Sequence, residues 1–382
     1  MRKFVLFLLL VMGVTLCCGQ EVKFGLETGE GLLIGPRQAE VGPDGNIYVF
    51  DSSDSYFKVF TADGGFLRRF GGKGQGPGEV GRSESVRFFF LRDEKTLIWT
   101  EFYRGNPWIT LMGLDGRLQK VVKVDILSKG FYALLGGVDL GNENWLLELV
   151  KTGEVRRDSQ YFVYGGRNSL ILVDSHGQVK SEQKQVSYDE RISIIGDGGD
   201  LGVPFVPHYS WGMTRDKKII FGDGRENALK ILDLTGKEIG KIDLPLPKPR
   251  SVTSAMLAEW RKALRQQFSE ITSSRAWFER FGKVVDAYKE SIYKVVPGFS
   301  GFQITPEGNF LLMAYDWKDS ETNEYRLISP QGKELGHWKK EVTIASVARS
   351  QILYYRTDED GGHILCAVPR RGSEARDLGE LK

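Results

Sequence analysis

The sequence has three cysteines in 382 residues, and two of them, Cys17 and Cys18, are adjacent near the amino terminus. Cys366 stands alone in the rest of the chain, so no internal disulfide framework can hold the fold and stability must come from an apolar core. Proline is sparse, at 13 residues, and the glycines follow no three-residue period, which excludes a collagen-like chain. Charge of one sign is also lacking, because 52 basic residues face 50 acidic ones. No bulk field therefore draws the chain toward nucleic acid or an anionic membrane. Histidine is scarce: His176, His208, His337 and His363 show neither HxH nor HExxH spacing, which disfavours a zinc site. No apolar run reaches 18 residues, so no segment reads as a membrane-spanning helix.

The amino terminus carries an address. Arg2 and Lys3 precede an apolar run of 13 residues, Phe4 to Leu16, which suits the core of a secretory signal peptide. Cys17-Cys18-Gly19-Gln20 follows and admits two readings. Signal peptidase can cut after Gly19, or Cys17 or Cys18 can be the lipidated cysteine of a bacterial lipoprotein. Residues 1–19 are thus expected to be a leader and residues 20–382 the exported protein, with a lipid anchor as its one tie to a membrane.

Glycine is abundant, at 46 of 382 residues or roughly one in eight, and aromatic residues make up 12%. Both favour short strands joined by tight turns. A unit then repeats. Asp44-Gly45-Asn46 turns into Ile47-Tyr48-Val49-Phe50-Asp51, a second strand spans 56–60, and Asp63-Gly64 turns the chain into 66–70. Comparable strands end at Glu101, Glu148, Asp223, Asp316 and Asp358. The carboxylates are 50, 47, 75, 93 and 42 residues apart, and three of those spacings match the four-stranded blade of a propeller. The interval of 75 is assigned a long loop, 151–168. The sixth unit lacks an outer strand and ends in a polar tail, 370–382. The alternating segment 21–27 is expected to pair with 364–368 and close the ring, which removes the open edge. The expected fold is all-β, a six-bladed β-propeller.

Residues 43–80 carry a closer likeness. Ile47-Tyr48-Val49-Phe50-Asp51, Phe57-Lys58-Val59-Phe60, Asp63-Gly64-Gly65-Phe66 and Gly72-Lys73-Gly74-Gln75-Gly76-Pro77-Gly78-Glu79 together resemble a repeat of the NHL-type six-bladed β-propellers, in particular the exported bacterial members. Where family repeats often carry Asn and Arg after the strand-end Asp, this chain has Ser52-Ser53-Asp54-Ser55. The resemblance implies a rigid disc with broad faces for partners. Related six-bladed enzymes, such as lactonase-like hydrolases and lyases, place acidic, Asn or His residues around one cation at the axial mouth.

Residues 251–294 break the strand rhythm. Thr253 and Ser254 can cap a helix carrying Met256, Leu257, Trp260, Leu264 and Phe268 at helical spacing, and Ser273-Ser274 can cap a second with Trp277, Phe281 and Val284. The insert reads as a helical hairpin between blades four and five. Its basic stretches at 261–265 and 275–280 are interrupted by Glu259, Glu270 and Glu279, so they read as solvated faces and not as a nucleic-acid site.

The candidate ligand residues follow from the topology. Connections after the second and fourth strands of each blade share one face. That face receives Asp51, Glu101, Asp223, Asp316 and Asp358, the Lys73 loop, and the His208-Tyr209-Trp211 segment. The acidic series can hold a single Ca²⁺ or other divalent cation; the competing reading is that each Asp caps its own turn. The glycine-rich loop at 72–78 lacks the GK[ST] of a phosphate loop. Nothing in the sequence assembles a nucleophile, a base and an oxyanion site. The reading is a non-catalytic binding or scaffold protein for a protein, peptide or glycan, with a metal-dependent hydrolase or lyase as its rival.

Overall fold

A computed structural model describes residues 21–381 except 27, 82–85, 91–94, 104–105, 127–129, 142–143, 158–160, 195–199, 203–204, 206–208, 269–294, 316–321, 358–361 and 380. Strand β1 (Val22–Phe24) precedes the first blade. Blade one is β2 (Pro36–Val41), β3 (Ile47–Asp51), β4 (Tyr56–Phe60) and β5 (Phe66–Gly71). Blade two is β6 (Arg87–Phe90), β7 (Thr96–Tyr103), β8 (Asn106–Gly113) and β9 (Leu118–Lys123). Blade three has five strands: β10 (Phe131–Gly141), β11 (Asn144–Arg157), β12 (Tyr161–Asp174), β13 (Val179–Ile194) and β14 (Asp200–Gly202). Blade four is β15 (Ser210–Met213), β16 (Ile219–Gly222), β17 (Ala228–Leu232) and β18 (Glu238–Asp243). Helix α1 (Ser254–Phe268) lies between it and blade five, which is β19 (Phe299–Ile304), β20 (Phe310–Ala314), β21 (Asn323–Ile328) and β22 (Glu334–Lys340). Blade six is β23 (Thr343–Val347), β24 (Gln351–Thr357) and β25 (His363–Pro369), followed by helix α2 (Glu374–Gly379).

The protein is a six-bladed β-propeller, and its sheets are antiparallel meanders in chain order. The exception is blade six, whose fourth strand is β1. Val22, Lys23 and Phe24 pair with Ala367, Cys366 and Leu365, so the two ends of the ring meet in one sheet, as the alternating segment after the leader requires.

The strand sequences match their depth. Second strands lie between neighbouring blades and are covered on both sides. Ile47, Tyr48, Val49, Phe50 and Asp51 are all at or below 1% exposure, which is why this strand reads as a continuous run and not as an alternation. The outer strand β5 alternates buried and exposed positions. Packing is radial. Phe50, Phe57 and Phe70 of blade one stack against Phe88 and Trp99 of blade two. Equivalent clusters join each further pair of neighbours. Phe24, Leu353 and Leu365 complete the circle against Ala39, Ile47 and Val49.

Side chains also lace the axial strands together. Gln38 bonds to the backbone of Phe88 and Ser210 to that of Phe302. Gln303 bonds to the Ile344 and Ala345 carbonyls, and Ser346 donates to Glu40. The hairpins between third and fourth strands press on the preceding blade. A Cβ at Gly236 would lie 1.7 Å from the Gln183 carbonyl, and one at Gly177 would lie 2.1 Å from that of Lys123. Both glycines also have positive φ, +80° and +78°, so each position excludes a side chain twice over.

Two segments differ from the sequence reading. Residues 151–168, read as a loop, are mostly strand: β11 and β12 pair from Asn144↔Asp174 out to Arg157↔Phe162, with a register shift between Thr152 and Val155. Nine residues beyond Glu148 give an arm of about 30 Å on the face where second strands end, with β13 and β14 alongside. The polar tail, in turn, folds back as α2. Leu378 and Leu381 are buried in the core between blades five and six, and Glu374 accepts from Asn309 at 2.7 Å. Two apolar residues in a charged segment give little pattern to read.

Helix α1 starts as expected, with the Thr253 hydroxyl accepting from the Met256 N–H at 3.2 Å. The base of the insert is closed by an antiparallel bridge between Ser251 and Val295. The second helix of the expected hairpin lies outside the described residues, as does the expected leader with Cys17 and Cys18.

Candidate functional site

Each blade turns tightly after its first and third strands. The connections after the second and fourth strands lie on the opposite face, here called the loop face, and the long ones among them, 72–86 and 244–298, follow fourth strands. The blade-three arm, the glycine-rich loop and the segment carrying α1 all leave their blades on the loop face.

The strand-end carboxylates do different work there. Asp51, 0% exposed, accepts from the Ile34, Gly35 and Ser53 N–H groups at 2.8, 3.0 and 3.1 Å. Its other partner is the buried ammonium of Lys58 at 2.9 Å, which also reaches Asp54 at 2.6 Å and the Leu32 carbonyl. Asp51 therefore pins the segment leading into blade one. Asp223 caps its own turn, accepting from the Arg225 N–H at 3.1 Å and pairing with the Arg225 guanidinium. Glu101 is buried and accepts from the Gly81 N–H at 2.9 Å. Asp316, Asp358 and His208 lie outside the described residues.

Glu148 is held differently. One oxygen accepts from Tyr209 Oη at 2.6 Å and Asn168 Nδ2 at 2.9 Å, and the other from Trp211 Nε1 at 2.8 Å. Three neutral donors from blades three and four thus fix one carboxylate beside the axis. Trp211, singled out from the sequence, is half-buried and joins this cage. Gly136 pairs opposite Glu148 on the axial strand β10, and nothing lies within 4 Å of the Cβ it lacks. Open space therefore adjoins the caged carboxylate.

Two arginines that the sequence reading passed over complete the mouth. Arg37 on β2 is exposed and Arg87 on β6 is half-buried. Desolvation disfavours the charged form of Arg87, the nearby Arg37 charge adds to that, and Glu148 opposes it. Arg87 on blade two therefore feels charges carried by blades one and three. No local motif marks either arginine, since each is a single basic residue at a strand start.

The glycine-rich loop is a built structure of its own. Glu79 turns back so that its carboxylate accepts from the Gly76 N–H at 2.7 Å, and a Cβ at Gly74 would strike it at 1.9 Å. The Gly76 donor is thus turned on the chain's own carboxylate, and the Gly72 and Gly74 N–H groups are taken by the Ser55 and Val80 carbonyls. Lys73 is exposed at the rim, in a parallel bridge with Val80. A cavity of about 420 Å³ lies between this loop, Glu101 and Trp108.

A larger cavity, about 860 Å³, opens on the opposite face among the tight turns of blades one, four, five and six. Glu40 lines it. The residue is half-buried and its carboxyl is the enclosed end; burial pushes that carboxyl up to about 7, against the hydrogen bonds from Ser346 and Gln38.

Asp51, Glu148 and Asp223 do not fit a divalent cation, because amide, indole, hydroxyl, ammonium or guanidinium donors already occupy their oxygens. Among the described residues, no three His, Cys, Asp or Glu side chains converge as ligands. No helix among the described residues is long and apolar enough to cross a membrane.

Comparison with known proteins agrees on the fold. A family model described as a 6-bladed beta-propeller matches residues 23–87. A protein from Bacteroides fragilis NCTC 9343, provisionally described as exported, superposes with a TM-score of 0.53 at 11% identity, over 93% of this chain and 95% of its own. A member of the duf4221 family from Bacteroides vulgatus gives a TM-score of 0.52 at 9% identity, over 93% and 97%. Virginiamycin B lyase from Staphylococcus aureus matches at a TM-score of 0.38 and 10% identity, over 93% and 89%, too distant to carry its chemistry across. No curated protein matches the sequence. At these identities the likeness is one of fold alone.

Proposed function

We propose that the protein is an exported, non-catalytic binding protein of the cell envelope that receives a peptide, protein or glycan at the axial mouth of its loop face. The observation that carries this reading is the Glu148 cage: a fixed carboxylate, an indole and a phenol beside open space. Aromatic rings next to a rigid polar group give both contact area and direction, the usual equipment of a recognition site. The engaged oxygens of Glu148 favour binding over the rival hydrolase or lyase, since a carboxylate that accepts three donors is a poor proton carrier and a poor cation ligand. The arm of blade three leaves its blade on the same face and can extend the contact surface.

The test is a peptide and glycan array probed with the purified exported chain, followed by mass analysis of whatever binds. The expected result is a bound class that is recovered chemically intact and lost in Trp211→Ala. Ligand recovered cleaved or rearranged would favour the enzyme. Retention unchanged in Trp211→Ala would move the site off the axial mouth.

Export rests on the leader at residues 1–19. Palmitate labelling that vanishes when Cys17 and Cys18 become serine is expected of the anchored form, and a soluble chain beginning at Gln20 of the cleaved form. A cytoplasmic chain that keeps its leader would overturn both.

A further inference from the structure

Arg37 and Arg87 sit on the axial strands of adjacent blades at the loop-face end of the channel. A bulge between Pro36 and Gln38 makes Arg37 the extra residue of β2, and a bulge re-aims the side chain it carries. The Gln38 amide then locks β2 to β6, donating to the Phe88 carbonyl at 2.7 Å and accepting from its N–H at 3.1 Å. Those two bonds place the preceding residues, Arg37 and Arg87, side by side.

Neither guanidinium pairs with a carboxylate among the described residues. Arg87 donates to the Val86 carbonyl at 2.7 Å, which occupies one of its five N–H groups. The negative charge in range, Glu148, is turned toward Asn168, Tyr209 and Trp211. Among the described residues, two like charges, one of them partly out of water, are thus held together with no carboxylate bonded to either, Glu148 acting on Arg87 only from a distance. Such a pair weakens the ligand-free fold. An oxyanion between the two planar forks removes that repulsion and fills their hydrogen bonds.

We propose that the axial mouth binds an oxyanion of its ligand, a carboxylate or a phosphate, between the guanidinium groups of Arg37 and Arg87. This rests on the loop-face mouth being the binding site. The caged Glu148 on the far side of the pair sets a limit on the rest of the ligand, which must be neutral or cationic where it approaches blade three.

The test is isothermal titration of the full exported chain with inorganic phosphate and with succinate, at low and at physiological salt. One saturable site is expected for at least one of them, weaker at the higher salt. Arg87→Gln is expected to weaken it about tenfold or more, while Arg69→Gln, on the surface beside Glu30, leaves it unchanged. The tighter of the two probes identifies the phosphate or carboxylate source. Without ligand, Arg37→Gln is expected to melt no lower than the parent, because it removes a repulsion; a lower melting temperature would mark the pair as structural and overturn the assignment. Absence of binding by both anions, or undiminished binding in the double variant, would also overturn it. A neutral array ligand that is lost in Trp211→Ala, with no anion bound, would reject the oxyanion and leave the axial mouth standing as the site.

Discussion

At the residue scale the carboxylates divide by what surrounds them. Asp51 is buried with Lys58 and three backbone donors, so Asp51→Ala leaves an ammonium and several amides without their partner. Breaking a buried pair in this way costs about 3–5 kcal/mol, to be read as a lower midpoint in urea denaturation at an unchanged slope. Glu40 is the opposite case. Its carboxyl is pushed up to about 7 in the folded protein, so the folded state holds a proton that the unfolded chain releases near the ordinary Glu value. Stability tied to Glu40 is therefore fully present below about pH 4.5 and falls as pH rises toward 7. Glu40→Gln is expected to stabilise the protein by about 3 kcal/mol at pH 8 and by almost nothing at pH 4. Parallel thermal melts at the two pH values measure this, and an equal shift at both would remove Glu40 as the source.

At the element scale the closing strand matters most. β1 is three residues long, but it supplies the outer edge of blade six and buries Phe24 in the joint between blades six and one. Deleting residues 20–28 is expected to cost at least about 3–5 kcal/mol, the loss of a buried Phe alone, and to expose the β25 edge to self-association. A chain of residues 29–382 that melts together with one of residues 20–382 would refute closure by β1. The hairpin between third and fourth strands makes a second prediction. Gly236→Ala places a Cβ against the Gln183 carbonyl at a position with positive φ, and is expected to destabilise by about 1–3 kcal/mol. Gly308→Ala, with φ +87° and nothing within 4 Å, carries the backbone strain without the clash, so the difference between the two variants isolates the contact between blades.

At the scale of the whole molecule, every blade shares its core with two neighbours, and the ends of the chain meet in one sheet. No blade can lose its packing without uncovering the next. Residues 20–382 are expected to unfold as one cooperative unit, with calorimetric and van't Hoff enthalpies in agreement. Two resolved transitions would separate the insert or the blade-three arm from the ring.

The amino-acid sequence by itself determined the features whose causes lie within a few residues of one another. Asp-Gly turns, continuous apolar second strands and alternating outer strands are local, so the blade repeat and the need for a closing strand could be read directly. Asp223 is legible for the same reason, since its partner Arg225 is two residues away. Only the tertiary structure decided where the axial mouth finds its groups. Glu148 meets Tyr209 and Trp211 across 61 and 63 residues, and Arg37 meets Arg87 through a bulge and a glutamine amide on neighbouring strands. The blade-three arm and α2 also escaped the pattern, α2 because Leu378 and Leu381 are the two buried leucines of a charged segment. These contacts depend on the angle at which one blade meets the next, and that angle is set by the summed packing of aromatic side chains around a closed ring, which no short stretch of sequence encodes.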